Sequence, residues 1–165
     1  MARKAFYSFH YEPDHWRASQ VRNMGVIEGN STVSDNDWEE VTKGGDAAIK
    51  KWITDQMSGK SCAIILIGSN TASRKWINHE IIHAWDNNKG VLGVHIHKLK
   101  DKDKNQSSKG ENPFDYITLG GTNKKLSSVV KVYNPPYSES TEAYAHIKDN
   151  LSDWVETAIT IRNSN

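Results

Sequence analysis

The chain has 165 residues, 36% of them hydrophobic, which is enough for one compact domain with a sizeable core. Its 21 lysine and arginine residues nearly balance 20 aspartate and glutamate residues, so no net field is available to hold nucleic acid or a membrane surface. A single cysteine, Cys62, excludes an internal disulfide, and the sequence shows neither a signal peptide nor a membrane-spanning stretch, so we expect a soluble cytoplasmic protein.

The first part of the chain predicts a strand, a helix and a second extended segment. Residues 5–9 are rich in strand formers, and Asp14 is placed to cap a helix over about 15–23. Residues 24–27 restart an extended segment, and the polar stretch 28–42 is typical of a surface loop. This part is therefore interpreted as strand, helix, strand and loop.

The middle of the chain repeats this alternation more clearly. The glycines of 44–46 give a break, after which apolar residues recur at helical spacing as far as Met57. Residues 61–67 form a continuous apolar run, which is typical of a strand buried on both faces of a parallel sheet. A helix is predicted over about 75–87, and the apolar residues of 91–96 supply another strand.

The last third contains a long loop, a short strand and a helix. Residues 98–112 carry charges of both signs, which favours a solvated loop. Residues 129–133 predict a last strand, and 141–161 an amphipathic helix followed by a frayed tail at 162–165. The alternation indicates a single α/β domain over the whole chain, folded as a three-layer sandwich with a mostly parallel central sheet.

A ligand site is expected at one edge of this sheet. Ligands of open α/β sheets bind outside the carboxyl ends of the strands. Three segments would meet there: Ser8–Glu12 after the first strand, Glu28–Trp38 after the second extended segment, and Gly68–Trp76 after the buried strand. We therefore look for functional residues in these segments and in the helix that follows the last of them.

Glu80 lies on the border of the apolar face of the helix predicted over 75–87. That face consists of Ile77, Ile81, Ala84 and Trp85. A half-solvated glutamate should have a raised pKa, and Trp76, one turn earlier, offers a flat face beside it, so the pair can form one wall of a cleft. Helix geometry alone favours the plainer reading, in which the carboxylate of a boundary residue turns towards solvent.

The same stretch, His79–His83, matches the H-E-x-x-H pattern of zinc hydrolases. A catalytic zinc needs a third protein ligand, and the metzincin continuation fails because Asp86 and Lys89 stand where glycine and histidine are required. Acidic residues of the 98–112 loop are the remaining candidates for that ligand. A zinc site is therefore a weaker alternative than a site at the sheet edge.

Other polar residues give weaker signals. No phosphate-binding glycine motif is present, and Ser8 and Ser69 lack the G-x-S-x-G context of a nucleophile. Cys62 lies in the middle of a predicted strand, where a core role is expected. His95 and His97 alternate along the next strand, and we expect them to face solvent.

With these residues in hand, the chain resembles the TIR-like domains of bacterial anti-phage defence, in the ThsB family of Thoeris systems. The resemblance is carried by residues 4–11, 16–23 and above all 69–81, which together lie in the first half of the chain. The specific feature is Trp76 one turn before Glu80, similar to the TIR motif that places a tryptophan before the catalytic glutamate.

This resemblance implies a flavodoxin-like fold and cleavage of the bond between nicotinamide and ribose in NAD. Glu80 would contact the ribose hydroxyls and stabilise the positive charge that develops on the sugar. NAD would be the substrate, with no separate cofactor and no metal. The resemblance also assigns substrate contacts to Ser8, Phe9, His10, Tyr11, Ser69, Asn70 and Trp76.

The resemblance further implies a cyclic ADP-ribose-type product that activates a separate NAD-consuming effector in the bacterial cytoplasm. Such proteins are expected to be weakly active until a phage-derived trigger acts, and their sites can be completed by self-association. The alternative function is a non-catalytic TIR interaction module, since the fold alone does not assign chemistry. A zinc hydrolase is the third candidate.

Overall fold

In the computed structural model, residues 3–28, 41–120 and 122–165 are described. The strands of these parts form a sheet that is parallel throughout, with neighbours in chain order. They are β1 Ala5–Ser8, β2 Cys62–Ile67, β3 Gly90–His95 and β4 Val132–Tyr133. The predicted α/β class with a parallel sheet is confirmed.

The central strands are buried on both faces. Every residue of β2 is buried, and β2 pairs with β3 from Cys62 opposite Gly90 to Ile67 opposite His95. An unbroken apolar sequence is what such a strand needs, because helices cover both faces of a parallel sheet. Cys62 is a free thiol with no exposed surface, and burial raises its pKa.

The predicted extended segment after the first helix is reduced to a single bridge. Lys4 pairs with Glu28 in parallel, and the amide of Ala5 donates to the carbonyl oxygen of Glu28 at 2.8 Å. The Lys4 carbonyl, which points to the opposite side, accepts from Ser61 next to β2. Glu28 therefore lies on the outer side of β1. The rest of the predicted loop, residues 29–40, lies outside the described residues.

Helices cover both faces of the sheet. They are α1 Tyr11–Arg22, α2 Gly45–Met57, α3 Lys75–Asp86 and α4 Ser140–Asn163. One core cluster contains residues of α1 and α4, such as Val21 and Leu151, and a second contains residues of α2 and α3, such as Ile53 and Ile81. The structure is thus a three-layer sandwich, and no helix of the described residues is long and apolar enough to cross a bilayer.

Helix α1 begins earlier than predicted, and Asp14 does not cap it. His10 is at the N-cap, and Pro13 lies in the first turn, where the missing N–H would have no partner within the helix. Asp14 is buried, with an oxygen 3.7 Å from Nη1 of Arg17. The predicted capping role of Asp14 is wrong.

The charged segment 98–112 is only partly a solvated loop. Leu99 is fully buried, and its carbonyl oxygen accepts from Nε of Arg17 at 2.8 Å. Nη2 of Arg17 donates to the carbonyl of Asn105 at 2.8 Å. Gly110 is buried so closely against the carbonyl of Gly68 that a Cβ atom there would overlap that oxygen. This segment is therefore attached to helix α1 and to the turn after β2.

The chain terminus is also more ordered than predicted. Helix α4 continues to Asn163, and Nε of Arg162 donates to the carbonyl of Trp85 at 2.9 Å, with the guanidinium 4.5 Å from the centre of the Trp85 ring. The prediction of a frayed tail from residue 162 is wrong at Arg162, because contacts with α3 hold it. The predicted strand 129–133 is shorter, since residues 129 and 130 form a turn after the 3-10 helix Leu126–Ser128, and only Val132–Tyr133 pair as β4.

Candidate active site

Glu80 is buried between α3 and the carboxyl end of β1. Only 8% of its surface is exposed, less than its place on the border of the apolar helix face suggested. Burial raises the pKa of Glu80 to about 8, and the Ser8 hydroxyl, at the end of β1, partly opposes this rise. Ser8 Oγ has no hydrogen bond of ordinary geometry to any described residue. At neutral pH this carboxyl group is therefore mostly protonated.

A cavity of about 690 Å³ opens beside this carboxyl group. Six of the residues predicted for the site line it: Glu80, Phe9, His10, Tyr11, Asn70 and Trp76. Ser8 is buried next to the carboxyl group of Glu80 without lining the cavity, and Ser69 does not line it either. The structure thus brings most of the predicted residues together, while their roles in substrate binding stay predictions.

Aromatic rings form much of the wall. Phe9 stacks on Tyr11 with ring centres 6.1 Å apart, and Tyr11 stacks on His15 at 5.1 Å. Trp76 is half-buried, and Nζ of Lys75 lies 4.8 Å above its ring. Flat apolar faces of this kind suit a ligand that carries aromatic rings.

Positive charge at the cavity was not predicted from the sequence. Arg74 and Lys75 line the cavity just before Trp76, and Arg74 bonds to the ring of His10. Lys75 also forms an ion pair with Asp46 at 2.6 Å. Arg74 and Lys75 directly precede Trp76 in the sequence, but only the orientation of the N-terminal end of α3 directs them towards the cavity.

A tight turn after β2, at residues 68–71, positions the segment that leads to α3. The amide of Gly68 donates to Oγ1 of Thr71 at 2.8 Å, and the Asp14 carboxyl group packs so closely on Gly68 that a Cβ there would overlap it. Burial raises the pKa of Asp14 to about 6, and the nearby guanidinium of Arg17 opposes that rise. A glycine is thus required at position 68 by the close approach of a side chain.

The family model for the TIR-like domain of the Thoeris protein ThsB matches residues 6–101, more than half of the chain. The chain belongs to the ThsB TIR-like family. The matched region contains the whole of the candidate site, from the end of β1 to α3. The family and the flavodoxin-like TIR fold that the sequence predicted are both confirmed.

One relative of this ThsB-family chain is the protein named "Putative cyclic ADP-D-ribose synthase ThsB1" of Bacillus cereus (strain MSX-D12). The two sequences are 37% identical over 122 residues, which cover 71% of this chain. The aligned region spans 64% of the length of that relative, so the relative has further sequence outside the match.

The H-E-x-x-H pattern is divided between two environments in this ThsB-family domain. Glu80 turns into the protein, whereas the rings of His79 and His83 stack on each other at 6.2 Å and both are partly exposed. Within the described ranges, no group of three or more His, Cys, Asp or Glu side chains is placed to hold a metal ion. The zinc alternative therefore lacks a third ligand among these residues.

His95 and His97 are both buried, with 4% and 7% of their surfaces exposed. The prediction that they face solvent is wrong, because segment 98–112 folds over the carboxyl end of β3 and brings Lys98 and Lys109 close to them. An alternating pattern on a strand cannot reveal which loop covers its end.

Proposed function

We propose that this ThsB-family domain cleaves the nicotinamide–ribose bond of NAD and that Glu80 is its catalytic carboxylate. The observation that carries the proposal is the burial of the Glu80 carboxyl group beside an aromatic cavity of about 690 Å³. Cavities of this order accommodate nucleotide-sized ligands. The name of the B. cereus relative, "Putative cyclic ADP-D-ribose synthase ThsB1", supports NAD as the substrate class.

The raised pKa of Glu80 is consistent with this chemistry. A neutral acid costs less to bury than a carboxylate, so burial favours the protonated form of Glu80. The nicotinamide ring of NAD is cationic and would favour ionisation of a carboxyl group nearby. The carboxylate would then stabilise the positive charge that moves to the ribose as neutral nicotinamide leaves, and this leaving group needs no proton donor.

The rest of the cavity can hold the other parts of a dinucleotide. Phe9 and Tyr11 on one side and Trp76 on another would stack with its bases. Arg74 and Lys75 would neutralise the pyrophosphate, since both line the same cavity. The side-chain amide of Asn70 would donate a hydrogen bond to a sugar hydroxyl or accept one from it.

We infer that the product is a cyclic ADP-ribose-type signal, as the name of the B. cereus relative suggests. Cyclisation would require a group of the bound nucleotide to reach the sugar before water does. The signal would activate a separate NAD-consuming effector in anti-phage defence. Self-association and a phage-derived trigger would set the activity, and the bacterial cytoplasm is the expected location.

The test compares the wild type with Glu80→Gln in phage-infected cells, with the cyclic nucleotide product measured by mass spectrometry. The glutamine keeps the size of the side chain and removes its charge, so production should fall at least about a hundredfold. Asp86→Asn is the matched control, because it makes the same exchange at an exposed position of the same helix.

Equal production by wild type and Glu80→Gln would overturn the catalytic assignment. If neither protein consumes NAD during infection, while both still support defence, the alternative of an interaction module would be correct. A loss of production with Asp86→Asn as well would mean that helix α3, rather than one carboxyl group, had been disturbed.

A further inference from the structure

A second cavity, of about 430 Å³, lies at the carboxyl ends of β3 and β4. It shares no lining residue with the cavity beside Glu80. Its wall consists of His95, Lys109, Gly110, Glu111, Asn112, Val132 and Asn134. The family match ends at residue 101, so most of the segment 98–112, which covers this cavity, lies beyond the match.

The wall of this second cavity contains a buried polar group that lacks a partner. His95 is 96% buried, yet its Nδ1 has no hydrogen bond to any described residue. The ring of His97 packs edge to face against the ring of His95, with the ring centres 5.6 Å apart. Nδ1 of His97 likewise has no hydrogen bond to any described residue. Buried polar atoms in folded proteins are nearly always satisfied, so a histidine of a cavity wall with an unpartnered ring nitrogen is a candidate ligand-binding side chain.

The surroundings of His95 favour an anion. Burial lowers the pKa of His95 to about 4, helped by the positive charge of its neighbours His97, Lys109 and Lys98, so the ring is neutral at pH 7. A neutral imidazole can donate one hydrogen bond to an oxyanion. The Lys109 ammonium group is exposed and lines the same wall.

Two further side chains of the cavity wall are consistent with an anionic ligand. The side-chain oxygen of Asn112 accepts from the amide of Phe114 at 2.9 Å, which leaves its NH₂ group to donate. The carboxylate of Glu111 accepts from the hydroxyl of Tyr116, so a hydrogen bond already engages the acidic group of the wall. Lys109 in the wall, Lys98 close to His95 and the amide donor of Asn112 are thus set against the single carboxylate of Glu111.

We propose that this second cavity binds a small anionic molecule, with its carboxylate or phosphate group held by His95 and Lys109. The assignment does not depend on NAD cleavage, because it uses none of the residues around Glu80. Gly110, which lines this cavity, packs on the carbonyl of Gly68, at the start of the segment that leads to the candidate active site.

The test follows the ring resonances of His95 by NMR in the full chain. Inorganic phosphate and acetate are titrated separately at pH 7, with chloride used to keep the ionic strength constant. At least one of them should shift the His95 signals saturably and raise the pKa of the ring, since a bound anion stabilises the imidazolium form. Whichever anion saturates at the lower concentration identifies the head group.

Two exposed lysines of the same segment provide the comparison. Lys109→Gln should weaken the binding about tenfold, as expected for loss of a charge-assisted hydrogen bond, whereas Lys102→Gln, which does not line the cavity, should leave it unchanged. The proposal is overturned if neither anion gives a saturable shift. It is overturned equally if the two lysine variants weaken binding alike, because general charge attraction would then explain the effect.

Discussion

Replacing Glu80 with glutamine should change how the stability of the protein depends on pH. The ordinary pKa of this side chain is 4.5, and burial raises it to about 8 in the folded protein. Below pH 4.5 both the folded and the unfolded chain hold the proton. As the pH rises from 4.5 to 8 only the folded chain holds it, so stability falls, and above pH 8 the loss is complete.

The size of the loss follows from the two pKa values. Each pH unit between them is equivalent to about 1.4 kcal/mol of unfolding free energy, so the full interval gives a decrease on the order of 5 kcal/mol. Domains of this size are typically stable by about 5–15 kcal/mol, so the effect is a large fraction of the total. A glutamine at position 80 does not titrate and removes the dependence.

Urea unfolding of the wild type and of Glu80→Gln at a series of pH values between 5 and 9 measures the difference directly. The wild type should lose several kcal/mol relative to the variant across this range, with most of the loss below pH 8. Asp86→Asn should follow the wild type, since its carboxylate is exposed in the folded protein. Parallel curves for wild type and Glu80→Gln would refute the burial argument, because a solvated carboxyl group has nearly the same pKa in both states.

Three further predictions concern activity and local packing. NAD turnover, measured as kcat/KM, should rise with pH up to about 8 as Glu80 ionises, and a flat profile would contradict the assigned role. Gly68→Ala should lower the free energy of unfolding, measured by thermal denaturation, by about 1–3 kcal/mol and reduce turnover, because the added methyl group overlaps the buried carboxyl group of Asp14. Gly120→Ala, whose methyl group meets no atom, should change neither quantity. Arg17→Met should lower the free energy of unfolding, measured by chemical denaturation, by about 3 kcal/mol, because it leaves the buried carboxyl group of Asp14 without its cation. Lys51→Met, which removes an exposed ion pair, should lower it by less than about 1 kcal/mol.

The elements with a strong local pattern could be predicted from the sequence. The apolar run of β2 and the amphipathic face of α3 are fixed by side chains close together in the chain, so their boundaries were right within a residue or two. The family motif placed Glu80 and Trp76 at one site for the same reason, since both lie on one helix.

What was missed depends on contacts between distant segments. Whether Glu80 turns inwards is decided by what packs against it from β1, and helix geometry alone favoured the opposite orientation. Asp14 was read as a helix cap because its role, packing on Gly68, involves a residue far along the chain. Segment 98–112 looked solvated from its charges, although a few uncharged residues such as Leu99 attach it to the core.

The burial of Cys62 has a practical consequence for following this protein in solution. It is the chain's single cysteine, it lies in the central strand, and its thiol is kept protonated by its surroundings. Reagents that attack thiolates should therefore leave the native protein unmodified. A cysteine introduced on the surface would be the one group to react, so fluorophores or spin labels can be attached at chosen positions without first altering the core.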